Sequence, residues 1–214
     1  MGRDGPHPGT GSELPAGAVL VAAYLAGAVP FAQLLARNRH GVDLRRHGTG
    51  TVSATGLGQV AGSGPLVCAG VLDLAKGAVG PLLAGPRRRP TLATLAGGMA
   101  VSGHNWSPLL AGAGGRGISP ALGALAVTAP AGSFVLLGGV GLGRALRQTG
   151  LGALASYVAL VPTLRRLGGR PAAGAGAAVL VPIVAKRLLG NRRAARPEMY
   201  LWRLLFDRDE RTRP

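Results

Sequence analysis

The segment Gly41–Gly56 (GVDLRRHGTGTVSATG) carries the residues best suited to binding an anion. Its glycines alternate with hydroxyl side chains, and basic residues come just before them. The members are Arg45, Arg46, His47, Gly48, Thr49, Gly50, Thr51, Ser53, Thr55 and Gly56. Exposed backbone N–H groups, hydroxyl donors and guanidinium groups together suit a tetrahedral oxyanion, most commonly phosphate. The spacing is not that of a Walker A loop, so a flexible polar loop whose arginines set membrane topology is the alternative interpretation.

Two ionisable residues lie well inside the apolar segment that follows this loop. Asp73 and Lys76 are three positions apart, so on a helix they share one face and can pair. Ionisable groups at membrane depth are costly and usually face a polar cavity, which makes both residues site candidates. The alternative interpretation is an internal ion pair that only locks helix packing.

A second set of polar residues follows the third apolar segment. It consists of Gly103–Pro108 (GHNWSP) and the glycine loop Gly112–Gly117 (GAGGRG), which is built around Arg116. The histidine of GHNWSP could act as a general base. A neutral histidine that donates to phosphate or caps a helix end fits the same pattern. A basic run near the C-terminus, including Lys186 and Arg187, forms the third polar set.

The composition indicates a membrane protein. Of the 214 residues, 47% are hydrophobic and 15% are charged, whereas soluble domains average about 25% charged residues. A formal charge of +16 can indicate nucleic-acid binding, but this chain has no aromatic platform, recognition helix or basic repeat. Arginine-rich loops that face anionic lipid or an anionic substrate explain the charge better. The single cysteine, Cys68, lies in an apolar run, so no intrachain disulfide is possible.

The apolar segments predict an all-α fold, a polytopic membrane bundle of about seven transmembrane helices. The segments are Ala16–Ala36, Leu57–Gly85, Thr91–Ala111, Ile118–Gly143, Leu151–Leu164 and Ala172–Ala185. Ile118–Gly143 is read as two short helices, because the resulting count of seven puts the arginine-rich C-terminal region in the cytoplasm with Gly41–Gly56. Arg87–Arg89 then lies outside, against the positive-inside bias.

Three regions follow from this pattern. Residues 1–14 form a polar tail, expected to be disordered and without a signal-peptide pattern. Residues 15–196 form the membrane domain, and residues 197–214 form a charged tail. Within that tail, Met199–Phe206 is amphipathic enough to lie on the membrane surface.

The order of these motifs resembles a family of integral membrane enzymes, the bacterial acyl-phosphate–glycerol-3-phosphate acyltransferases. The similarity begins at Gly27–Phe31 (GAVPF, where the family has GSIPF) and continues through the first glycine loop (GTGTVSAT, where the family has GSGNIGAT). It resumes at Leu72–Gly77 (LDLAKG), Gly103–Pro108 (family GHxFSP) and Gly114–Gly117 (family GGKG). Each motif alone is weak evidence, whereas five in the same order and spacing are strong evidence.

The resemblance implies transfer of a fatty acyl group from acyl phosphate to the first hydroxyl of glycerol 3-phosphate. The products are lysophosphatidic acid and phosphate. No metal or cofactor is expected, because acyl phosphate is already activated and catalysis can come from positioning and charge stabilisation. The expected partners are the two substrates and membrane lipids, with the chain in a bacterial plasma membrane and its site loops cytoplasmic. A catalytically degenerate homologue that binds lipid or phosphate, or a small anion transporter, are the alternatives.

The resemblance also implies roles for particular residues. His104, Ser107 and Lys76 are the expected catalytic residues, with Asp73 orienting the lysine ammonium. The residues expected to bind phosphate are Arg45, Thr49, Gly50, Thr51, Ser53 and Thr55 in the first loop, and Gly114, Gly115, Arg116 and Gly117 in the second.

The sequence departs from the family pattern at several of these positions. Thr51 and Gly56 stand where the family has asparagine, and Arg116 replaces a lysine, which exchanges a point charge for a planar fork. Of the family's C-terminal motif only Lys186–Gly190 (KRLLG) remains. We therefore expect weak acyl transfer, with the use of glycerol 3-phosphate affected more than that of acyl phosphate.

Overall fold

The computed structural model describes residues 14–47, 50–192 and 194–207, and these ranges contain helices and turns but no strand. The predicted all-α fold is therefore confirmed. The helices are α1 (Ala16–Ala28), α2 (Phe31–His40), α3 (Ala54–Ala61), α4 (Ser63–Ala84), α5 (Pro90–Asn105), α6 (Ile118–Thr128), α7 (Pro130–Ala145), α8 (Thr149–Leu189) and α9 (Glu198–Phe206). The predicted N-terminal tail, apart from Leu14, and residues 208–214 of the C-terminal tail lie outside the described residues.

Three segments of the described chain are long and apolar enough to cross a membrane. They are Ala16–His40, Ser63–Ala84 and Thr149–Leu189. The last has 41 residues, which as one straight helix would be about 60 Å long at 1.5 Å per residue. That length is about twice the hydrocarbon thickness of a bilayer, so the segment must bend or fold back.

Helix α8 folds back on itself as a hairpin of two antiparallel halves. Gly169 has φ 67° and ψ −158°, a backbone conformation that is open to glycine but not to residues with a side chain. Beyond this point the chain returns, and Arg187 Nη2 donates to the carbonyl oxygen of Gly150 at 2.7 Å. Residues 149–168 and 170–189 therefore cross the bundle in opposite directions.

The apolar run Ile118–Gly143 forms two helices, as predicted. Helix α6 ends at Thr128, and Pro130 occupies the first turn of α7, where its missing N–H costs no hydrogen bond. Ser133 Oγ in α7 donates to the carbonyl oxygen of Leu122 at 3.0 Å, so the two helices lie side by side. With α1, α4, α5 and the two halves of α8, the described chain has seven segments in the bundle, the predicted number.

Two predicted segments are not single helices over their whole length, and a third is interrupted at the proline that it contains. Leu57–Gly85 is not one helix, because Gly62 adopts φ 83° and separates α3 from α4. Thr91–Ala111 does not remain helical to its end, since α5 ends at Asn105 and a 3₁₀ turn follows at Pro108–Leu110. Ala16–Ala36 is interrupted between α1 and α2 at Val29 and Pro30, and proline has no N–H with which to continue the ladder.

Small residues bring the central helices into close contact. Helix α5 packs against α1, α4, α6 and α8, and α4 packs against α1 and α6. At the crossing of α4 and α6, Gly77 lies against the backbone of Pro120, and Gly123 lies against the backbone of Leu74. A Cβ at either glycine would overlap the facing backbone, so the two helices approach more closely than larger residues permit.

Helix α9 packs against the end of α8. Its Arg203 is 1% exposed and donates to the carbonyl oxygens of Leu188 (3.2 Å), Leu189 (2.7 Å) and Arg192 (2.9 Å). The first two are carbonyls at the C-terminal end of α8, which lack intrahelical partners, and the third lies in the turn that follows. The amphipathic helix predicted over Met199–Phe206 is thus present, and the described part of the C-terminal tail is joined to the membrane domain.

Candidate functional site

The interruption between α1 and α2 supplies two carbonyl acceptors at one end of the bundle. Lys76 Nζ donates to the carbonyl oxygen of Val29 at 2.6 Å, and Ser107 Oγ donates to that of Ala28 at 2.6 Å. Both carbonyls lie at the end of α1, where a helix leaves acceptors unsatisfied. The helix break therefore brings Lys76 of α4 and Ser107, which follows α5, close together at the end of α1.

Asp73 and Lys76 form the ion pair that their spacing predicts. The distance from Lys76 Nζ to Asp73 Oδ1 is 2.8 Å, and the side chains are 5% and 2% exposed. The buried His104 approaches the same carboxylate, with Nδ1 3.8 Å from Asp73 Oδ1. That separation is too long for a hydrogen bond, so the imidazole faces the pair without being tied to it.

These residues line one small pocket that has polar groups on one side and apolar walls. The ring of Phe31 lies 5.6 Å from Lys76 Nζ and forms part of the wall. The lining residues are Ala28, Val29, Pro30, Phe31, Ala32, Val52, Asp73, Lys76, His104, Ser107, Leu110, Gly114 and Gly115. Of the predicted site residues, the pocket thus brings together the α4 pair, the two GHNWSP residues, and Gly114 and Gly115 of the second loop.

The first glycine loop lines the pocket at Val52, and two of its hydroxyl groups have other contacts. Ser53 Oγ accepts the N–H of Gly56 at 3.1 Å and so caps α3. Thr55 is exposed on α3, and Thr51 Oγ1 accepts from Arg116 Nη2 at 3.4 Å. None of these three hydroxyls lines the pocket.

Arg45, a further predicted residue of the first loop, also lies away from the pocket lining. Arg45 pairs with Asp43 within one 3₁₀ turn, with Arg45 Nη2 2.7 Å from Asp43 Oδ2. Hydrogen bonds from the Arg45 guanidinium lower the pKa of the Asp43 carboxyl to about 2, so this pair stays charged at neutral pH. Thr49 lies outside the described residues.

The second glycine loop is held by hydrogen bonds to the rest of the fold. The N–H of Gly115 donates to the carbonyl oxygen of His104 at 3.1 Å, and the N–H of Gly114 donates to Asn191 Oδ1 at 3.1 Å. The N–H groups of Gly114 and Gly115, two of the glycines predicted to bind phosphate, therefore already have partners within the protein. Gly115 also lies against the imidazole of His104, at a position that a Cβ would fill.

The cationic and terminal residues of the second loop contact other elements. Arg116 pairs with the carboxylate of Asp207, which follows α9. Gly117 has φ 80° and precedes α6. Lys186 Nζ lies 3.4 Å from the carbonyl oxygen of Gly112 and 5.3 Å from the Trp106 ring centroid. The three polar sets of the sequence therefore lie at one end of the bundle, as predicted.

Three contributors to this end were missed by sequence reasoning. Asn105 is fully buried and donates from Nδ2 to the carbonyl oxygen of Pro182 at 2.7 Å. Asn191 contacts both glycine loops, and Asp207 pairs with Arg116. An asparagine after a helix-terminating glycine is typical of a turn, and nothing in the local pattern indicates a partner 77 or 141 residues away.

The arrangement suits a substrate with an anionic head and an apolar chain. The Lys76 ammonium lines the pocket. The Arg116 guanidinium and the N-terminal end of α3 lie at the same end of the bundle. Each of these three groups favours negative charge nearby. The pocket walls at Phe31, Val52 and Leu110 are apolar.

The chain is similar to proteins of one named family. The model of a protein family described as glycerol-3-phosphate acyltransferase matches residues 17–192. Glycerol-3-phosphate acyltransferase 5 of Dehalococcoides mccartyi is 40% identical over 119 residues, which cover 55% of this chain and 51% of that protein. Glycerol-3-phosphate acyltransferase of Halalkalibacterium halodurans is 31% identical over 175 residues, covering 78% of this chain and 84% of that protein.

The fold is also similar to that of a solved structure. PlsY, an integral membrane glycerol 3-phosphate acyltransferase in its glycerol 3-phosphate form, gives a TM-score of 0.71 at 25% identity, over 87% of this chain and 98% of that one. The chain spans about half the length of several of the curated relatives it matches.

Proposed function

Because the chain belongs to the glycerol-3-phosphate acyltransferase family, we propose that it transfers an acyl group from acyl phosphate to a hydroxyl of glycerol 3-phosphate. The hydroxyl oxygen bonds to the acyl carbonyl carbon, and the bond from that carbon to the phosphate oxygen breaks. The hydroxyl proton ends on the leaving phosphate, and the products are lysophosphatidic acid and phosphate. Acyl phosphate brings the activated carbonyl, so the protein contributes positioning and charge.

One observation carries this proposal: motifs from both halves of the matched region meet in a single pocket around a buried ammonium. Lys76 reaches the pocket from α4, His104 from α5, and Gly114 from the second glycine loop. Both substrates are phosphate esters or anhydrides, and a cation that lines the pocket stabilises the negative charge that develops in the transition state. The apolar wall accommodates the start of the acyl chain.

The residues divide the work between charge and orientation. Lys76 supplies positive charge near the reacting centre, and Asp73 fixes its ammonium through the ion pair. His104 lies beside them without a hydrogen bond to Asp73, which leaves its ring available to a substrate phosphate or hydroxyl. We place the protein in the plasma membrane of a bacterium, with both glycine loops at the cytoplasmic surface where the phosphates are soluble.

A catalytically degenerate homologue is the second candidate. It is favoured by the N–H groups of Gly114 and Gly115, which are engaged within the protein, and by the asparagines that Thr51 and Gly56 replace. Such a protein would bind acyl phosphate or lipid without efficient turnover.

An assay of lysophosphatidic acid separates the two candidates. The purified protein in lipid nanodiscs is given acyl phosphate and labelled glycerol 3-phosphate, in parallel with the Thr51→Asn/Gly56→Asn variant. A Cβ at Gly56 would lie 3.1 Å from the Thr51 carbonyl oxygen, so this variant fits with a small shift. Lysophosphatidic acid formed by the wild type supports the acyltransferase proposal. If only the variant forms it, the wild type is a degenerate homologue. If neither protein forms it although both are folded, the acyltransferase proposal is contradicted.

A further inference from the structure

Asn191 joins the two glycine loops, which are far apart in sequence. Its Nδ2 donates to the carbonyl oxygen of Gly50 at 2.9 Å and to that of Gly114 at 2.8 Å. Its Oδ1 accepts the N–H of Gly114 at 3.1 Å. The first loop also touches the second directly, because the N–H of Val52 donates to the Gly114 carbonyl at 3.0 Å. Asn191 therefore lies where both loops and the end of α8 meet.

Asparagine fits this position because its amide group uses both of its N–H donors and its carbonyl oxygen to bind these loops. A side-chain amide carries two N–H donors and one carbonyl acceptor, and here both donors face carbonyl oxygens while the acceptor faces an N–H. An aspartate of the same shape would place an oxygen against the carbonyls of Gly50 and Gly114 and lose both donations. An alanine would leave three backbone groups without these partners.

We propose that Asn191 is a positioning residue for acyl transfer, one that fixes the spacing between the two glycine loops. The proposal rests on the proposed function, and it assigns one of the two phosphate-bearing substrates of that reaction to each loop. Each loop can still bind its own phosphate when Asn191 is lost, but the distance and orientation between the two bound substrates are no longer fixed. The rate of transfer then falls more than the affinity for either substrate, because reacting groups must be aligned to within about an ångström.

Kinetics of four proteins test this role. Wild type, Asn191→Ala, Asn191→Asp and Asn191→Gln are compared in nanodiscs, with rates normalised to folded protein. For Asn191→Ala we expect kcat to fall about tenfold to a hundredfold while both KM values change by less than about threefold. Asn191→Asp should be at least as impaired, and Asn191→Gln, which keeps the amide, should recover part of the lost kcat. Asn38→Ala, an exposed amide on α2, is the matched control and should behave as wild type.

Hydrogen exchange supplies a readout that needs no turnover. In Asn191→Ala, amide exchange in peptides covering residues 50–53 and 112–117 should become at least about tenfold faster, since their opening is no longer restrained. Exchange in α4 and α5 should stay unchanged, as should exchange everywhere in Asn38→Ala.

The two experiments together decide the proposal. Unchanged exchange in either loop contradicts it, whatever happens to kcat, because Asn191 would then not hold the loops in place. Faster exchange in both loops with kcat and KM unchanged also contradicts it, since spacing would not matter to the reaction. If the wild type forms no lysophosphatidic acid, the proposed function fails, and exchange alone decides whether Asn191 fixes the loops.

Discussion

At the scale of single residues, the buried Asp73–Lys76 pair combines packing with chemistry. Lys76 bonds both to Asp73 and to the carbonyl of Val29, so it fastens the break between α1 and α2 as well as lining the pocket. The two interpretations that the sequence left open, ion pair and site, are compatible in this geometry. A substitution at Lys76 should therefore change stability and activity together.

The Lys76→Met variant tests this double role. Removing one partner of a buried ion pair leaves an uncompensated charge, which costs roughly 3–5 kcal/mol of the free energy of unfolding. Asp73→Asn/Lys76→Met removes both charges and should recover most of the thermal stability, but not the activity. Thermal unfolding in nanodiscs and lysophosphatidic acid formation are the measurements. Full activity in the stable double variant would show that the pair only packs.

Gly115→Ala tests the contact between the second glycine loop and His104. The added methyl group would overlap the imidazole ring, so the ring must move away from the pocket. We expect acyl transfer to fall by about tenfold or more, as small displacements of catalytic groups do, with helix content unchanged. Gly138→Ala, on an open face of α7, is the control. Equal activity in Gly115→Ala and Gly138→Ala would show that the position of His104 does not matter to the reaction.

Single residues differ in how far the sequence predicts them. Asp73 and Lys76 could be paired from their spacing, because an i, i+3 contact depends only on the helix. Ser53 is predicted to bind phosphate, and its hydroxyl oxygen also caps α3, a role that serine before a helical run commonly plays. Asn191 could not be predicted, since its partners come together only when α8 has folded back.

At the scale of elements, helix breaks decide what reaches the site. The interruption between α1 and α2 exposes the carbonyls that receive Lys76 and Ser107, and the reversal at Gly169 returns the second half of α8 to the polar end. Hydropathy predicts the apolar segments and their number. It does not show which of the chain's 37 glycines adopts positive φ, because that choice depends on packing around the whole bundle.

Arg203→Met tests the attachment of α9. The buried guanidinium donates to three carbonyls at the end of α8, and losing charge-assisted hydrogen bonds of this kind costs about 1.5–3 kcal/mol. We expect a lower Tm and easier proteolysis after residue 192. Arg203→Lys should restore little of the lost Tm, because a single ammonium cannot make the same hydrogen bonds as the planar guanidinium. Arg196→Met, at an exposed position, is the control and should leave Tm unchanged. A fall in Tm equal to that of Arg203→Met would mean that loss of positive charge, and not loss of the hydrogen bonds made by the planar guanidinium, lowers the stability.

At the scale of the whole molecule, the fold places both glycine loops at one end and the Arg87–Arg89 turn at the other. The second end also holds the start of α1, since Arg89 Nη1 donates to the Leu14 carbonyl at 2.8 Å. The sequence predicted this common end from arginine bias and span count, and the geometry of the described residues agrees. Sidedness in a cell remains a prediction.

Cysteine reporters test that sidedness. In a Cys68→Ala background, Thr55→Cys and Leu109→Cys should react with an impermeant reagent from the cytoplasmic side only, and Arg87→Cys from the outside only. Thr55 is exposed, and Leu109, 66% exposed, reports on the second loop without the overlap that a side chain at Gly115 would cause. Labelling of the first two positions from opposite sides would contradict a single site.

The central claim is that one site, built from both glycine loops and the Asp73–Lys76 pair, binds the phosphate substrate. The most direct test is an experimental structure of the protein in lipid with glycerol 3-phosphate bound. We predict that the phosphate contacts residues 50–56 of the first loop, with the glycerol carbons directed toward Lys76 and His104. A phosphate bound among the arginines at the opposite end of the bundle, in contact with neither loop, would contradict the claim.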